Sequence, residues 1–236
     1  MSQDQAKSQN QDWADAAEQR VLDAAIALAP EFGWTSLLVA RAAKACGLTA
    51  GDAELLFPNG PRDLAALLSR RHDARALALL ADPGFDALKV RAKIARAVEA
   101  RLDAAALDGP ALRRWSGFLA LPQNASLGLR LAWESADALW RRAGDVSTDE
   151  NHYSKRAILA GILISAQAVR QTHGREAAQA FVARRIDNVM SFEKLKAKVK
   201  SPIGLEQIAS GLARLRYGRR DAQDEAAERG ADETRL

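Results

Sequence analysis

The chain has 236 residues, of which 48% are hydrophobic and 27% are charged. This composition excludes a largely disordered protein and is typical of a globular one with a sizeable core. The formal net charge is only +4, which excludes a polycation, and the single cysteine, Cys46, excludes an intramolecular disulfide.

The predicted elements are all helices. Apolar residues recur at helical spacing along most of the chain, and no run alternates with period two for the length of a strand. Glycine and proline lie between the apolar segments, where they end helices. In chain order, the predicted helices are Ala14 to Glu31, Ser36 to Cys46, Ala50 to Leu56, Arg62 to Ala81, Phe85 to Leu107, Gly109 to Ala120, Asn124 to Arg142, Asp149 to His173, Arg175 to about Lys198 and Pro202 to Tyr217.

The chain is predicted to divide into five parts. These are a disordered N terminus (1–12), a helix-turn-helix-like part (13–61), a helical body (62–200), an amphipathic helix (201–218) and a disordered charged tail (219–236). The N-terminal segment has no apolar stretch of the secretory type, and no apolar run reaches the roughly 20 residues that span a bilayer. Nothing in these features suggests export, and any membrane role would be peripheral. The localisation that we expect is the cytoplasm of a bacterium, with peripheral association with the inner membrane.

The helix-turn-helix-like part has a poor surface for reading DNA. Gly47 fits the tight turn and Thr49 is placed to cap the second short helix. That helix, AGDAELLF, carries Asp52 and Glu54 but no lysine or arginine, so it would present carboxylates to phosphates. We expect no nucleic-acid binding, and interpret this part as a scaffold.

A polar helix face follows the turn at Gly144. Asp149, Tyr153 and Arg156 are spaced by four and three residues, which places them on one face of the helix that begins there. The spacing is compatible with a recognition surface. It is equally compatible with a solvated helix start that holds one ion pair.

The last predicted helix has the pattern of a membrane-surface segment. Lysines precede it and arginines follow it, as expected for binding to an anionic membrane. The same apolar stripe could instead dock on the body or on a second subunit. The stripe, which supplies the predicted membrane-binding residues, consists of Ile203, Leu205, Ile208, Leu212, Leu215 and Tyr217.

Several blocks of the chain resemble one family. The resemblance spans about residues 19–217 and rests on the segments AAIALAPEFGWTSLLVARAAKACGL, ARLDAAA, LALPQNASLGLRLAWESADALWRRAGD and STDENHYSKRAILAGIL. With these segments the chain resembles the lipid-binding accessory proteins of ubiquinone (coenzyme Q) biosynthesis, the ninth Coq protein, which have a TetR-like fold.

The resemblance implies a TetR-like all-α fold with a degenerate helix-turn-helix, and a non-enzymatic function. Such a protein would bind an isoprenoid quinone intermediate or another lipid in its helical body. It would present that lipid to the late-step di-iron demethoxyubiquinone hydroxylase, and it would form a homodimer. The candidate lipid-binding residues are apolar side chains of the body: Leu102, Phe118, Leu119, Leu131, Leu139, Trp140, Ile158 and Ile162.

The resemblance also places a partner-binding surface at Asp149, His152, Tyr153 and Arg156. This chain departs from the family at one of these positions. The family usually has tryptophan in an NWY triplet, whereas this chain has Asn151-His152-Tyr153. Histidine offers less contact area than tryptophan, so the affinity for the hydroxylase is expected to differ.

No pattern in the chain predicts catalysis, a metal or a cofactor. The three histidines have no histidine partner four residues away, and His72 and Asp73, being adjacent on a helix, point in different directions. We interpret His72 and Asp73 as surface residues. Two alternatives to lipid presentation remain at this point: a TetR-like ligand-responsive regulator, and a protein-interaction module with a solid core.

Overall fold

The computed structural model describes the backbone of residues 3–146 and 150–200 and the side chains of residues 11–146 and 152–188. Within these ranges the regular elements are helices and no strand occurs, which confirms the all-α prediction. The helices are α1 (Gln3–Phe32), α2 (Ser36–Ala45), α3 (Ala50–Leu56), α4 (Pro61–Leu79), α5 (Pro83–Asp86), α6 (Val90–Ala106), α7 (Gly109–Ala120), α8 (Ala125–Arg142) and α9 (Glu150–Lys200). The predicted helix at 201–218 and the tail at 219–236 lie outside the described residues. The similarity of the fold to that of TetR proteins stays a prediction.

The turn between α2 and α3 forms as predicted. Gly47 adopts a left-handed backbone with φ of 73°, which glycine tolerates and most residues do not. Thr49 caps α3 by accepting a hydrogen bond from the backbone N–H of Asp52, and the Asp52 carboxylate accepts one from the N–H of Thr49 in return. This reciprocal capping box fixes where α3 begins.

Two helices differ from the sequence prediction. Helix α1 begins at Gln3, where the sequence predicts disorder up to residue 12. The segment from residue 3 to residue 12 contains four glutamines, which helices tolerate well. In place of the single helix predicted from Phe85 to Leu107, the structure has the two helices α5 and α6. They are separated at Lys89, whose backbone is extended with ψ of 150°. Phe85 is fully buried beneath the Arg142 guanidinium, 4.5 Å from its ring centre, so tertiary contacts hold the short helix α5.

The break predicted between two long helices at residue 174 is present within α9. Gly174 has φ of 85° and ψ of -174°, so the helix is interrupted there. Residues up to Arg184 form one compact unit, and residues 185–200 belong to a second.

The core of the first unit joins the helix-turn-helix-like part to the body. Helix α4 packs against α1, α2, α6 and α8, and its face at Leu64 and Leu68 is fully buried. The indole N–H of Trp34 donates to the carbonyl of Pro61 at 3.0 Å, and that of Trp115 donates to the carbonyl of Ala65 at 3.0 Å. Pro61 and Ala65 are one helical turn apart, so the two indoles anchor the start of α4 to the helix-turn-helix-like part and to α7.

Candidate functional site

A cavity of about 690 Å³ lies between α6, α7, α8 and the first part of α9. Its volume is within the range of sites that bind small molecules, roughly 300–1,000 Å³, and its lining is mostly apolar. Leu102, Trp115, Leu131 and Leu163 form buried parts of its wall. Leu129 and Ile164 line it as well and are 62% and 46% exposed, so they mark the side that opens to solvent.

Small residues create the space. On the sides of α7 and α8 that line the cavity, glycine and alanine stand where leucine would fill a core: Gly117, Ala120, Ala125, Gly128 and Ala132. A side chain at Gly128 would begin 3.4 Å from the carbonyl oxygen of Leu119, so the two helices approach closely there. The lining of α8 extends from Ala125 to Ser135, which is on the order of 15 Å along a helix.

The buried end of the cavity is polar. The Arg101 side chain donates from Nε to Asp73 Oδ1 at 2.5 Å and from Nη2 to Ser69 Oγ at 3.3 Å. Ser135 Oγ donates to the same Asp73 oxygen at 2.7 Å. Ser69, Arg101 and Ser135 all line the cavity and are at most 6% exposed. The arginine and the aspartate cancel each other's charge, so this end is polar but neutral.

The structure places three of the eight predicted lipid-binding residues in the cavity wall, namely Leu102, Leu119 and Leu131. The other five are elsewhere. Phe118 packs against the core, Leu139 is fully buried, Ile162 is 7% exposed, Ile158 is 37% exposed, and Trp140 donates its indole N–H to the carbonyl of Lys155. Helical spacing located the apolar faces, but it could not separate a cavity wall from a filled core.

His72 is buried, so the interpretation of a surface residue is wrong. Its side chain has no exposed area, and Nε2 lies 2.6 Å from Asp108 Oδ2, to which Arg75 also donates. Burial lowers the pKa of His72 to about 4, against the opposing effect of the Asp108 hydrogen bond. The imidazole packs edge-on against Trp115 at 5.8 Å, directly behind the cavity wall. Asp73 is also mostly buried, through its pairing with Arg101.

Arg156 is also buried, which changes its role in the predicted partner surface. Its side chain is 2% exposed, with Nε 2.6 Å from Asp137 Oδ1 and Nη1 2.9 Å from Asp145 Oδ2. Burial disfavours the charge, but the hydrogen bonds that Arg156 donates to the Asp137 and Asp145 carboxylates outweigh this effect and raise the pKa of Arg156. Arg156 therefore cannot contact a partner directly, and it instead ties α9 to the end of α8.

Two predicted partner-binding residues do reach the surface beside this network. Tyr153 is 64% exposed and stacks on Trp133 of α8, with ring centres 6.2 Å apart. His152 packs edge-on against Tyr153 at 5.2 Å. The Arg156 Nη1 also donates to the His152 carbonyl at 3.2 Å, so the buried arginine helps to position this aromatic surface. Asp149 lies outside the described residues.

Two features are absent from the ranges that the structure describes. No helix in those ranges is long and apolar enough to cross a bilayer. In the same ranges, no three histidine, cysteine, aspartate or glutamate side chains are grouped so as to hold a metal ion. The predicted membrane-binding residues 203–217 lie outside the ranges described.

The fold and the site together define an all-helical protein with a largely apolar, ligand-sized cavity. A family model described as COQ9 matches residues 125–193, which include α8 and most of α9. The chain belongs to the COQ9 family.

The relatives are curated proteins of vertebrates. The chain is 31% identical over 183 residues to ubiquinone biosynthesis protein COQ9-B, mitochondrial, of Xenopus laevis, covering 70% of this chain and 59% of that protein. It is 28% identical over 212 residues to the COQ9 protein of Rattus norvegicus, covering 84% of this chain and 67% of that protein. The chain thus spans less than two thirds of the frog protein, and these mitochondrial relatives give no support to the bacterial assignment.

Proposed function

We propose that this protein is a non-catalytic lipid-binding protein of ubiquinone biosynthesis. The observation that carries the proposal is the largely apolar cavity of about 690 Å³ between α6, α7, α8 and α9. A core that served packing alone would bury these apolar side chains against one another, because apolar surface left in contact with water is unfavourable. Family membership and the relatives' names, which assign them to ubiquinone biosynthesis, supply the pathway.

The proposed cargo is an isoprenoid quinone intermediate that enters from a membrane. The cavity is open where Leu129 and Ile164 are exposed, so a lipid has a route to its apolar wall. Residues 201–218 are proposed to bind an anionic membrane surface through their apolar stripe and flanking cations. A homodimer is part of the same proposal.

Binding of a short-tailed quinone tests the function directly. Decylubiquinone titrated into the full chain by calorimetry is expected to bind with about one molecule per chain. The Ala168→Trp variant adds a bulky ring to an exposed position on the cavity wall, and overfilling costs about 1–3 kcal/mol, so we expect at least about fivefold weaker binding. Ser165→Trp is the matched control, since Ser165 is exposed on the same helix but does not line the cavity. Equal affinities of the two variants, or no binding to the unaltered protein, would contradict the proposal.

The recipient of the lipid is proposed to be the late-step di-iron hydroxylase, docked at Tyr153 and His152. Replacing Tyr153 with alanine is expected to weaken that complex about tenfold or more, because exposed tyrosines are frequent interface hot spots. The melting temperature should change little, since the side chain is 64% exposed. Pull-down or calorimetry with the purified hydroxylase measures the effect. Leu55→Ala, at a side chain 75% exposed on α3, serves as the control, and an equal loss in both variants would argue against this docking site.

Nucleic acid is not among the proposed partners. The hydrogen bonds from Thr49 lower the pKa of Asp52, so this carboxylate stays charged at the start of α3. Glu54 adds a second negative charge, and α3 has no cation to offset them. A helix of this charge would be repelled by a phosphate backbone.

A further inference from the structure

Helix α9 is interrupted next to the cavity. Gly174 has φ of 85° and ψ of -174°, and a methyl group added to it would have open space around it. The positive φ, not crowding, therefore explains the glycine. Gln171 and Thr172, which precede the break, line the cavity. A change in the angle of the break would therefore move part of the cavity wall.

The turn before the break is also weakened. The hydroxyl of Thr172 donates to the carbonyl of Ala168 at 2.9 Å. A hydroxyl in this position competes with a backbone N–H for the carbonyl oxygen and tends to bend a helix. Residues 172 to 174 thus form a point at which α9 can bend, as hinges do in other proteins at the ends of helices.

Asp103 joins both sides of the break to α6. Its Oδ1 lies 2.8 Å from Nη2 of Arg170, four residues before Gly174, and its Oδ2 lies 2.7 Å from Nη2 of Arg175, directly after it. Leu102, the neighbour of Asp103 on α6, lines the cavity. One carboxylate therefore holds the angle of the break beside the cavity wall.

The two ion pairs of Asp103 differ in their contact with solvent. The Arg170 side chain is 16% exposed, whereas that of Arg175 is 60% exposed. Exposed pairs shift an equilibrium by no more than about fivefold. Salt screens them, and it screens partly buried pairs much less. The Arg175 pair can therefore break while the Arg170 pair keeps Asp103 in place.

We propose that Asp103, Arg175 and the break at Gly174 form a latch that controls how fast a ligand enters and leaves the cavity. This inference rests on the proposed lipid-binding function and adds its regulation. When Arg175 leaves Asp103, α9 bends at Gly174 and the wall at Gln171 and Thr172 loosens. Association and dissociation both become faster, so the affinity changes little.

The rate at which decylubiquinone leaves the full chain tests the latch. Loaded protein is mixed with an excess of neutral phosphatidylcholine vesicles, and the recovery of tryptophan fluorescence is followed, because Trp115 lines the cavity. We expect Arg175→Gln to release the quinone about fivefold faster than the unaltered protein, with an affinity within twofold by calorimetry.

Arg141→Gln is the matched control for this variant. The Arg141 side chain is 71% exposed and pairs with Asp137 at 2.9 Å on α8, but it does not line the cavity. The substitution therefore removes an equally exposed ion pair far along the chain from the break. Its release rate should stay within about twofold of that of the unaltered protein.

Ionic strength gives a second measurement of the same latch. Raising the salt concentration from about 0.05 M to about 0.5 M screens the Arg175 pair, so release from the unaltered protein should approach the rate of Arg175→Gln. The rate of Arg175→Gln itself should change less than twofold, because its latch is already released. Decylubiquinone is uncharged, so salt does not screen the ligand.

Hydrogen exchange without ligand separates the latch from the proposed function. The backbone amides of residues 172–178 should exchange about fivefold faster in Arg175→Gln, because the break opens more often. An equal release rate in a folded Arg175→Gln variant, or equal exchange of these amides, would overturn the latch while leaving lipid binding intact. If the unaltered protein binds no decylubiquinone, the proposed function is rejected, and the control of ligand exchange is rejected with it.

Discussion

Replacing Arg156 with methionine is expected to lower the free energy of unfolding by about 3 kcal/mol. Losing one member of a buried ion network typically costs about 3–5 kcal/mol, because the remaining charges are left uncompensated. The lower end of this range applies here, because each aspartate still has a cation after the substitution. Asp145 remains paired with Lys155 at 2.7 Å, and Asp137 remains paired with Arg141 at 2.9 Å. Urea denaturation of the purified variant measures the change.

Arg141→Met is the matched control for this substitution. Both arginines pair with Asp137, but the Arg141 side chain is 71% exposed, and exposed pairs contribute about 0–1 kcal/mol. If the two variants lose the same stability, Arg156 does not hold α8 and α9 together in the way described. If only Arg156→Met is destabilised, it should also weaken the proposed complex with the hydroxylase, because Arg156 positions the backbone at His152.

Acidification is expected to destabilise the protein through His72. The pKa of His72 in the folded protein, about 4, is below the value of roughly 6.5 in an unfolded chain. Between these two pH values the unfolded state therefore binds a proton at His72 that the folded state does not bind. Stability therefore falls as the pH drops from about 6.5 to about 4. Between pH 7 and pH 5 the expected contribution of this histidine is a loss of about 2 kcal/mol.

Removing the buried imidazole should remove that part of the pH dependence. His72→Gln cannot titrate, and Asp108 still has Arg75 as a partner, so the variant should lose much less stability than the unaltered protein over the same range. His173→Gln, at an exposed histidine, should keep the original slope. Denaturation midpoints at pH 7, 6 and 5 distinguish these outcomes, and an unchanged slope in His72→Gln would show that other groups set it.

Local signals predicted the helices whose ends they mark. The bounds of α3 and α7 agree with the prediction, because Thr49 caps one and the Asp108-Gly109-Pro110 sequence begins the other. The break at Gly174 was equally visible, since glycine accepts the positive φ found there. The division at Lys89 was not visible, because it depends on the contact of Phe85 with Arg142, a residue distant in sequence.

The buried charged residues were misjudged because residue type was weighed above position. His72 continues the spacing of four set by Leu64 and Leu68, and all three side chains are fully buried. Arg156 likewise precedes Leu159 and Leu163 at helical spacing, on the buried face of α9. The spacing of the buried leucines therefore indicated burial at both positions. The residue types argued against it, because charged and titratable residues are rarely buried without partners.

The cavity itself could be predicted only in part. Three of the eight proposed lining residues are in its wall, since an apolar helix face serves packing and ligand binding alike. The signal that was available is the series of small residues on α7 and α8, including Gly128 and Ala132. Whether facing side chains fill the space that small residues leave depends on how the helices pack, which the sequence does not state.

Mass spectrometry of the lipids extracted from the natively purified protein is the most direct test of the central claim. We predict about one isoprenoid quinone or quinone precursor per chain, retained in Ser165→Trp and reduced in Ala168→Trp. Recovery of a stable protein without any bound lipid, or of the same lipid in equal amount from both variants, would contradict the claim that this cavity holds the cargo.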